Sequence, residues 1–219
     1  MTQLLLARHG ETDWNRELRF QGQLDVPLNE AGRLQAQRLA ERLGLEAVDH
    51  IVSSDLLRAR QTAQACAERL GLALHSDAGL REQSFGMLEG LSAQQVRRSH
   101  PEVWADWSRH DADYAVPGGE STRAFAGRVL QAVQRLAQAH AGRTLLVVTH
   151  GGTLDMLWRV ARAAPLHGPR TCAIPNCGIS RMRCIGERLL ILHWADEAHL
   201  QGLPAQPSTV PASVQLAAR

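Results

Sequence analysis

The sequence predicts an α/β fold, a three-layer sandwich with a mostly parallel central sheet flanked by helices. Three observations carry this. Short apolar runs alternate along the chain with segments of helical periodicity, the order found in layered α/β domains. "TLLVVT" (144–149) is apolar with hardly a break, as a strand covered on both faces must be. The helical segments carry capping residues at their starts and glycines at their ends, which ties the alternation to local chemistry as well as to composition.

Taken in order, "QLLLAR" (3–8) reads as a buried strand. "LNEAGRLQAQRLAERLG" (28–44) reads as a helix with Asn29 as N-cap, Leu34, Leu39 and Leu43 at helical spacing, and Gly44 as its stop. "HIVSS" (50–54) is a short strand, and "DLLRARQTAQACAERLG" (55–71) is a second helix, capped by Ser54 and closed by Gly71. From 79 to 120 the pattern loosens, and Trp104 and Trp107 in that stretch are read as packing residues. A long helix over 121–140, the strand 144–149, a helix over 151–163 and a terminal hairpin from "CGISRMRCIG" and "RLLILHWA" complete the order. One domain is expected over 1–195, with 91–116 as a segment covering a site. The Pro-, Ala- and Gln-rich stretch 196–219 is expected to be a disordered tail.

Composition narrows the function. A chain of 219 residues with 44% hydrophobic and 21% charged residues is that of a soluble globular domain, and a net charge of +2 argues against a nucleic-acid or membrane partner. All 24 basic residues are arginine, which excludes a P-loop lysine and lysine Schiff-base chemistry. Any bound anion must therefore be held by guanidiniums, imidazoles and backbone N–H groups. The apolar stretch Leu4 to Ala7 is shorter than the core of a signal peptide, so a cytoplasmic location is expected. Cys66, Cys172, Cys177 and Cys184 form no CxxC pair and are read as free thiols. Zinc on Cys172, Cys177, Cys184 and His167 would fit no usual ligand spacing, and no metal is expected.

"LLLARHG" and "LLVVTHGG" each end an apolar strand with a histidine and a glycine. Ligand sites gather at the carboxyl ends of parallel strands, so His9 and His150 are expected to meet there. Arg8 adjoins one of them and Arg58 lies in the first turn of the helix after "HIVSS". Guanidiniums disfavour a divalent cation and favour an anion; phosphate matches their forks best. The structural alternative for Arg58 is a helix-surface ion pair with Asp55.

"RHGET" (8–12), with Asn15 after it, resembles the opening motif of the histidine phosphatase superfamily, the phosphoglycerate mutase-like proteins. "FQGQLDVPLNEAGRLQA" (20–36), "SSDLLRARQTA" (53–63), "LREQSFGMLEG" (80–90), "PGGES" (117–121) and "VVTHGG" (147–152) resemble further family blocks in the same order. The resemblance implies that His9 is a nucleophile phosphorylated during turnover. It also implies that Arg8 and Arg58 clamp phosphate, that His150 is a second imidazole and that Glu82 is the proton donor. Asn15, Gln21, Gly22 and Gly151 are the implied substrate-binding positions.

The chemistry agrees: a neutral imidazole can attack phosphorus, the guanidiniums neutralise the equatorial oxygens, and a positioned acid protonates the leaving alkoxide. Glu11 and Glu89 compete with Glu82 for the acid role, Glu89 being read as a holder of backbone N–H groups in its turn. His75, His100, His110, His140 and His167 lie outside the motifs and are read as surface residues. About 26 residues, without lysine, separate "LEG" from "PGGES"; this resembles the short phosphatase branch, including the α-ribazole phosphatase-like and broad-specificity phosphatases. The expectation is a metal-independent phosphomonoester hydrolase acting on a small phosphorylated metabolite without a cofactor, with a homodimer compatible. The alternatives are a phosphoglycerate-type mutase using the same site and a non-catalytic phosphate-binding or scaffold module.

Overall fold

The computed structural model describes residues 1–207. Six strands form one sheet in the order β3-β2-β4-β1-β5-β6: β1 (Thr2–Arg8), β2 (His50–Ser53), β3 (Leu74–Ser76), β4 (Thr144–Thr149), β5 (Ile179–Ile185) and β6 (Arg188–Asp196). β3, β2, β4 and β1 run parallel, while β5 pairs antiparallel with both β1 and β6. The terminal hairpin thus supplies an antiparallel edge to a parallel sheet.

Side-chain alternation in β1 builds the three layers. Leu4 and Leu6 point into one core with Phe125, Val129 and Leu157, on α6 (Thr122–Ala139) and α7 (Gly151–Ala161). Leu5 and Ala7 point into the other with Leu39, Leu43 and Ala63, on α2 (Glu30–Leu43) and α3 (Leu57–Leu70). Successive residues of a strand face opposite sides, so a strand buried on both must be apolar throughout. Phe125 is fully buried at the centre of the first core. Phe125→Ala is expected to lower stability by about 3–5 kcal/mol through the cavity it leaves, read from the shift of the urea midpoint.

Several expectations are corrected. Leu34 is 43% exposed. It precedes Leu39 by five residues, which turns it roughly 140° round a 3.6-residue helix, and the buried stripe runs through Ala36, Leu39, Ala40 and Leu43 instead. α3 starts at Leu57 with Leu56 as an N-cap that makes no side-chain bond, so Ser54 does not cap it. Ser54 still belongs to the sheet ladder, its N–H donating to Val148 O at 2.9 Å. β3 was not anticipated, since three residues carry too little pattern. Residues 196–207 pack instead of forming a disordered tail: Leu200 is buried, Leu203 lies against the α2–α3 core, and the Gln206 amide bonds both ways with the Asn176 backbone. Two leucines suffice to anchor a stretch whose overall composition reads as unstructured. Residues 208–219 lie outside the described residues.

α1 (Asp13–Arg16) follows β1, and α4 (Ala93–Ser99) and α5 (Pro101–Trp107) lie within 91–116, ahead of α6. This cover segment has a small core of its own, in which Leu88, Val96 and Val116 pack with Phe20 and Trp107. Among the described residues, no helix is long and apolar enough to cross a membrane.

Candidate active site

The β1–β4 register fixes the centre of the site. Arg8 stands opposite Thr149 in the parallel ladder, and one further bond, His9 N–H to Thr149 O at 2.9 Å, carries the pairing past the strand ends. The next residue on each chain is a histidine. The His9 and His150 rings lie 5.2 Å apart between centroids, inclined by 57°. β2 delivers Ser54 to the same edge, where its hydroxyl meets His150 Nε2 at 2.8 Å.

His9 is held in one tautomer. Its Nδ1–H donates to Gly10 O at 2.7 Å, which leaves the Nε2 lone pair available. The Gly10 N–H donates to Thr62 Oγ1 at 2.9 Å, and Asn176 Nδ2 donates to His9 O at 2.8 Å, so the loop is tied from two sides. Gly10 is required here because a Cβ would stand 2.4 Å from Gly32 O on α2. Both histidines are buried. Burial first, then the guanidiniums of Arg58 and Arg8, hold the His9 imidazole well below its ordinary range. Burial, Arg58 and His9 do the same to His150. Both rings are therefore neutral at pH 7.

That neutrality has a cost in acid. The unfolded chain binds protons at these histidines below about pH 6.5 while the folded chain resists them, so their contribution to stability is complete above pH 6.5 and is lost as pH falls towards the folded values. The melting temperature is expected to decline from about pH 6.5 downward, and a His9→Gln, His150→Gln double variant is expected to flatten that decline in thermal scans.

The guanidiniums converge on the same place. Arg58 is fully buried and donates to Leu24 O and Gly22 O, both at 2.8 Å. It makes no pair with Asp55, which bonds Arg81 at 2.7 and 2.6 Å. Arg8 donates to Ile174 O at 2.9 Å. Burial lowers the pKa of both to about 10, with Arg170 the second cause at Arg8, and both remain cationic at pH 7. Arg8 Nε, Arg58 Nε, Arg170 Nε and His150 Nδ1 are buried without a hydrogen-bond partner among the described residues. Buried polar atoms are costly unless satisfied, and a phosphate bound between Arg8 and Arg58 would offer acceptors to the guanidiniums.

Glu82 reaches the site from the other side. Its Oε2 accepts from Gly152 N–H, at the start of α7, and its Oε1 from Gln83 N–H, both at 2.9 Å. A Cβ at position 152 would stand 2.1 Å from Glu82 Oε1, so only glycine admits the carboxylate there. Arg128 braces the approach, donating to Arg81 O and Glu82 O at 3.1 and 3.2 Å while holding Glu120 at 2.7 Å. Gly152→Val is expected to cut kcat by on the order of 10²-fold by displacing Glu82, and to lower the melting temperature as well, because the added Cβ would stand 3.1 Å from Phe125 in the core; steady-state kinetics and a thermal scan check it.

The remaining positions divide. Gln21 is nearly buried, its Oε1 without a hydrogen-bond partner among the described residues, and Gly22 contributes the carbonyl that holds Arg58. Asn15 closes a capping box with Thr12 on α1 and lines a small cavity with Arg8 and Arg170. Gly151 heads α7 against Arg8 and Arg170. Glu11 is turned away, bonded by Arg16 and Asn29, and Glu89 accepts from the Gln23 and Phe85 N–H groups at 3.1 and 2.9 Å.

A cavity of about 300 Å³ opens beside Glu82, walled by Phe85, Trp107, His110, Tyr114 and Arg170. His110 is thus not a plain surface residue: its carbonyl accepts from Gly168 N–H at 3.1 Å, joining the cover segment to the loop after α7. Trp107 both packs and faces the cavity. His75 and His167 are exposed, and His100 and His140 are half-buried. Sequence reasoning missed Ser54, Thr62, Asn176 and Arg170. Ser54 and Thr62 lie within a recognised block and were open to discovery, whereas Asn176 and Arg170 lie in none. The four cysteines are buried, and among the described residues no three His, Cys, Asp or Glu side chains are grouped to hold a metal ion.

Comparison with known proteins places this geometry in context. The profile of the histidine phosphatase superfamily (branch 1) matches residues 4–197. Phosphoglycerate mutase-like protein 4 of Arabidopsis thaliana is 40% identical over 203 residues, covering 91% of this chain and 87% of that protein. The structure of a mycobacterial glucosyl-3-phosphoglycerate phosphatase superposes with a TM-score of 0.78 at 34% identity, covering 89% of this chain and 99% of the other. A phosphoserine phosphatase variant from Entamoeba histolytica gives a TM-score of 0.78 at 25% identity, covering 91% and 100%.

Proposed function

Since the chain belongs to the histidine phosphatase superfamily, we propose that it is a phosphomonoester hydrolase acting through a phosphohistidine on His9, with a small phosphorylated metabolite as substrate. The observation that carries this is the tautomer of His9: one ring nitrogen donates to Gly10 O at 2.7 Å and the other keeps its lone pair, beside two buried arginines with partnerless donors.

In the first step His9 Nε2 attacks phosphorus, the ester P–O bond breaks, and the leaving oxygen takes a proton from Glu82. Arg8 and Arg58 neutralise the charge on the equatorial oxygens, and His150, a neutral imidazole, contributes a polar contact beside them. In the second step water attacks the phosphohistidine, gives its proton to the Glu82 carboxylate, and inorganic phosphate leaves with His9 neutral again. Each half-reaction restores what the other consumes.

A mutase is the second reading, favoured by relatives named phosphoglycerate mutase-like protein 4 and probable phosphoglycerate mutase. The experiment that separates them uses substrate labelled in the phosphoryl group, quenched in alkali. A labelled, acid-labile protein adduct with label released as inorganic phosphate supports the hydrolase; label recovered on an isomerised substrate makes the protein a mutase. No adduct and no turnover across a panel of phosphoesters, with phosphate still bound, makes it a binding module.

A further inference from the structure

β4 lies between β1 and β2 in the sheet, so His150, just past its end, has a neighbour on each flank. One is His9. On the other side the ladder pairs Ser53 with Val148. The next bond, Ser54 N–H to Val148 O at 2.9 Å, sets the Ser54 hydroxyl 2.8 Å from His150 Nε2. Both residues are fully buried, so bulk water does not compete for this bond.

Counting protons fixes the direction of the bond. The ring is neutral, because burial and then Arg58 hold it well below its ordinary range, and it therefore carries one N–H. If Nε2 carried it, the ring would donate to Ser54 Oγ, which already accepts from Leu56 N–H at 3.3 Å. The serine proton would then have no acceptor among the described residues, and a buried donor left unsatisfied is costly. Nδ1 would be a bare lone pair, which repels an anion. If Nδ1 carries the proton, Ser54 O–H donates to Nε2 and only Nδ1–H remains free. That nitrogen is indeed buried without a hydrogen-bond partner among the described residues, on a ring that feels both Arg58 and Arg8. An unconstrained histidine favours the Nε2–H form; a donor bound to Nε2 reverses the choice.

We propose that Ser54 is a positioning residue that locks His150 in its Nδ1–H tautomer, so that a neutral imidazole offers the phosphoryl group a hydrogen-bond donor. This deepens the hydrolase reading and rests on it for turnover, though not for the tautomer. The two histidines then share a tautomer and use opposite ends of it. Gly10 O takes the Nδ1 proton of His9 and leaves Nε2 to attack. Ser54 occupies Nε2 of His150 and leaves the Nδ1 proton to donate. The N–H of a neutral imidazole is not lost near neutral pH, so the donor persists through both half-reactions.

Nitrogen-15 NMR of the histidine-labelled protein reads the tautomer directly, the His150 signals being those that vanish in His150→Asn. The wild type is expected to show Nδ1 protonated and Nε2 bare. Ser54→Ala is expected to return the ring to the Nε2–H form and to weaken binding of inorganic phosphate by about tenfold in calorimetry. It should also cut kcat/KM by about 10- to 100-fold. Ser54→Thr keeps the hydroxyl and is expected to restore the tautomer and most of the affinity. If Ser54→Ala does not fold in a thermal scan, two variants of the ring decide. The amide N–H of His150→Asn takes the place of Nδ1–H and that of His150→Gln the place of Nε2, so His150→Asn is expected to bind phosphate the more tightly. Absence of turnover on every ester would defeat the hydrolase reading, while the ring signals and the phosphate affinity still decide this one. A wild-type spectrum with Nε2 protonated, a folded Ser54→Ala variant with wild-type phosphate affinity, or His150→Gln binding as well as His150→Asn overturns the assignment.

Discussion

His9→Ala is expected to abolish phosphoester hydrolysis, with a loss on the order of 10⁴–10⁶-fold in kcat. No other buried imidazole can replace it: His150 sits 5.2 Å away with its Nε2 committed to Ser54. The same variant should show no alkali-stable phosphoprotein after rapid quenching. It should nevertheless fold, because the His9 loop is also tied by Gly10 N–H to Thr62 and by Asn176 to the His9 carbonyl. Thermal melting checks the fold, and phosphate binding by calorimetry checks that Arg8 and Arg58 remain in place. A variant that melts normally and still turns over within tenfold of wild type would remove the phosphohistidine from the mechanism.

Glu82→Gln should divide substrates by their leaving groups. Alkyl phosphates leave as strongly basic alkoxides and need the proton, so their kcat is expected to fall by about 10²–10⁴-fold. p-Nitrophenyl phosphate leaves as a stabilised phenolate and is expected to lose far less. The amide is nearly isosteric and keeps an acceptor for one of the two N–H groups, of Gln83 and Gly152, that each bond one carboxylate oxygen. Glu89→Gln, by contrast, weakens a carboxylate that holds the Gln23 and Phe85 N–H groups. It should lower the melting temperature without distinguishing one leaving group from another. Equal losses by Glu82→Gln on both substrates would assign the proton to another group.

Much of the fold was legible because its signals are local. Asn29 caps α2 through Gly32 N–H at 2.8 Å, Gly71 closes α3 in the left-handed region, and Ser121 caps α6. These depend on a few neighbouring residues, and the sequence displays them. Leu34 and Ser54 were misread for the opposite reason. Which side of α2 is covered, and whether Ser54 ends a strand or starts a helix, depends on what packs against them. The stretch 196–207 failed on composition, since an average over proline, alanine and glutamine hides the two leucines that dock it.

The amino-acid order alone determined the layered α/β architecture and the ordered motifs bearing His9, Arg8, Arg58, Glu82 and His150. It did so because strand burial, helix capping and motif spacing are written in neighbouring residues. The folded chain decided the rest. Only the in-register pairing of β1 with β4 brings the two imidazoles side by side, only the bond to Gly10 O selects the His9 tautomer, and only the course of the loop after α7 sets Arg170 beside Arg8. The first and last of these join residues more than a hundred positions apart, and the His9–Gly10 bond, though between neighbours, is set by a loop that Thr62 and Asn176 tie down from elsewhere in the chain.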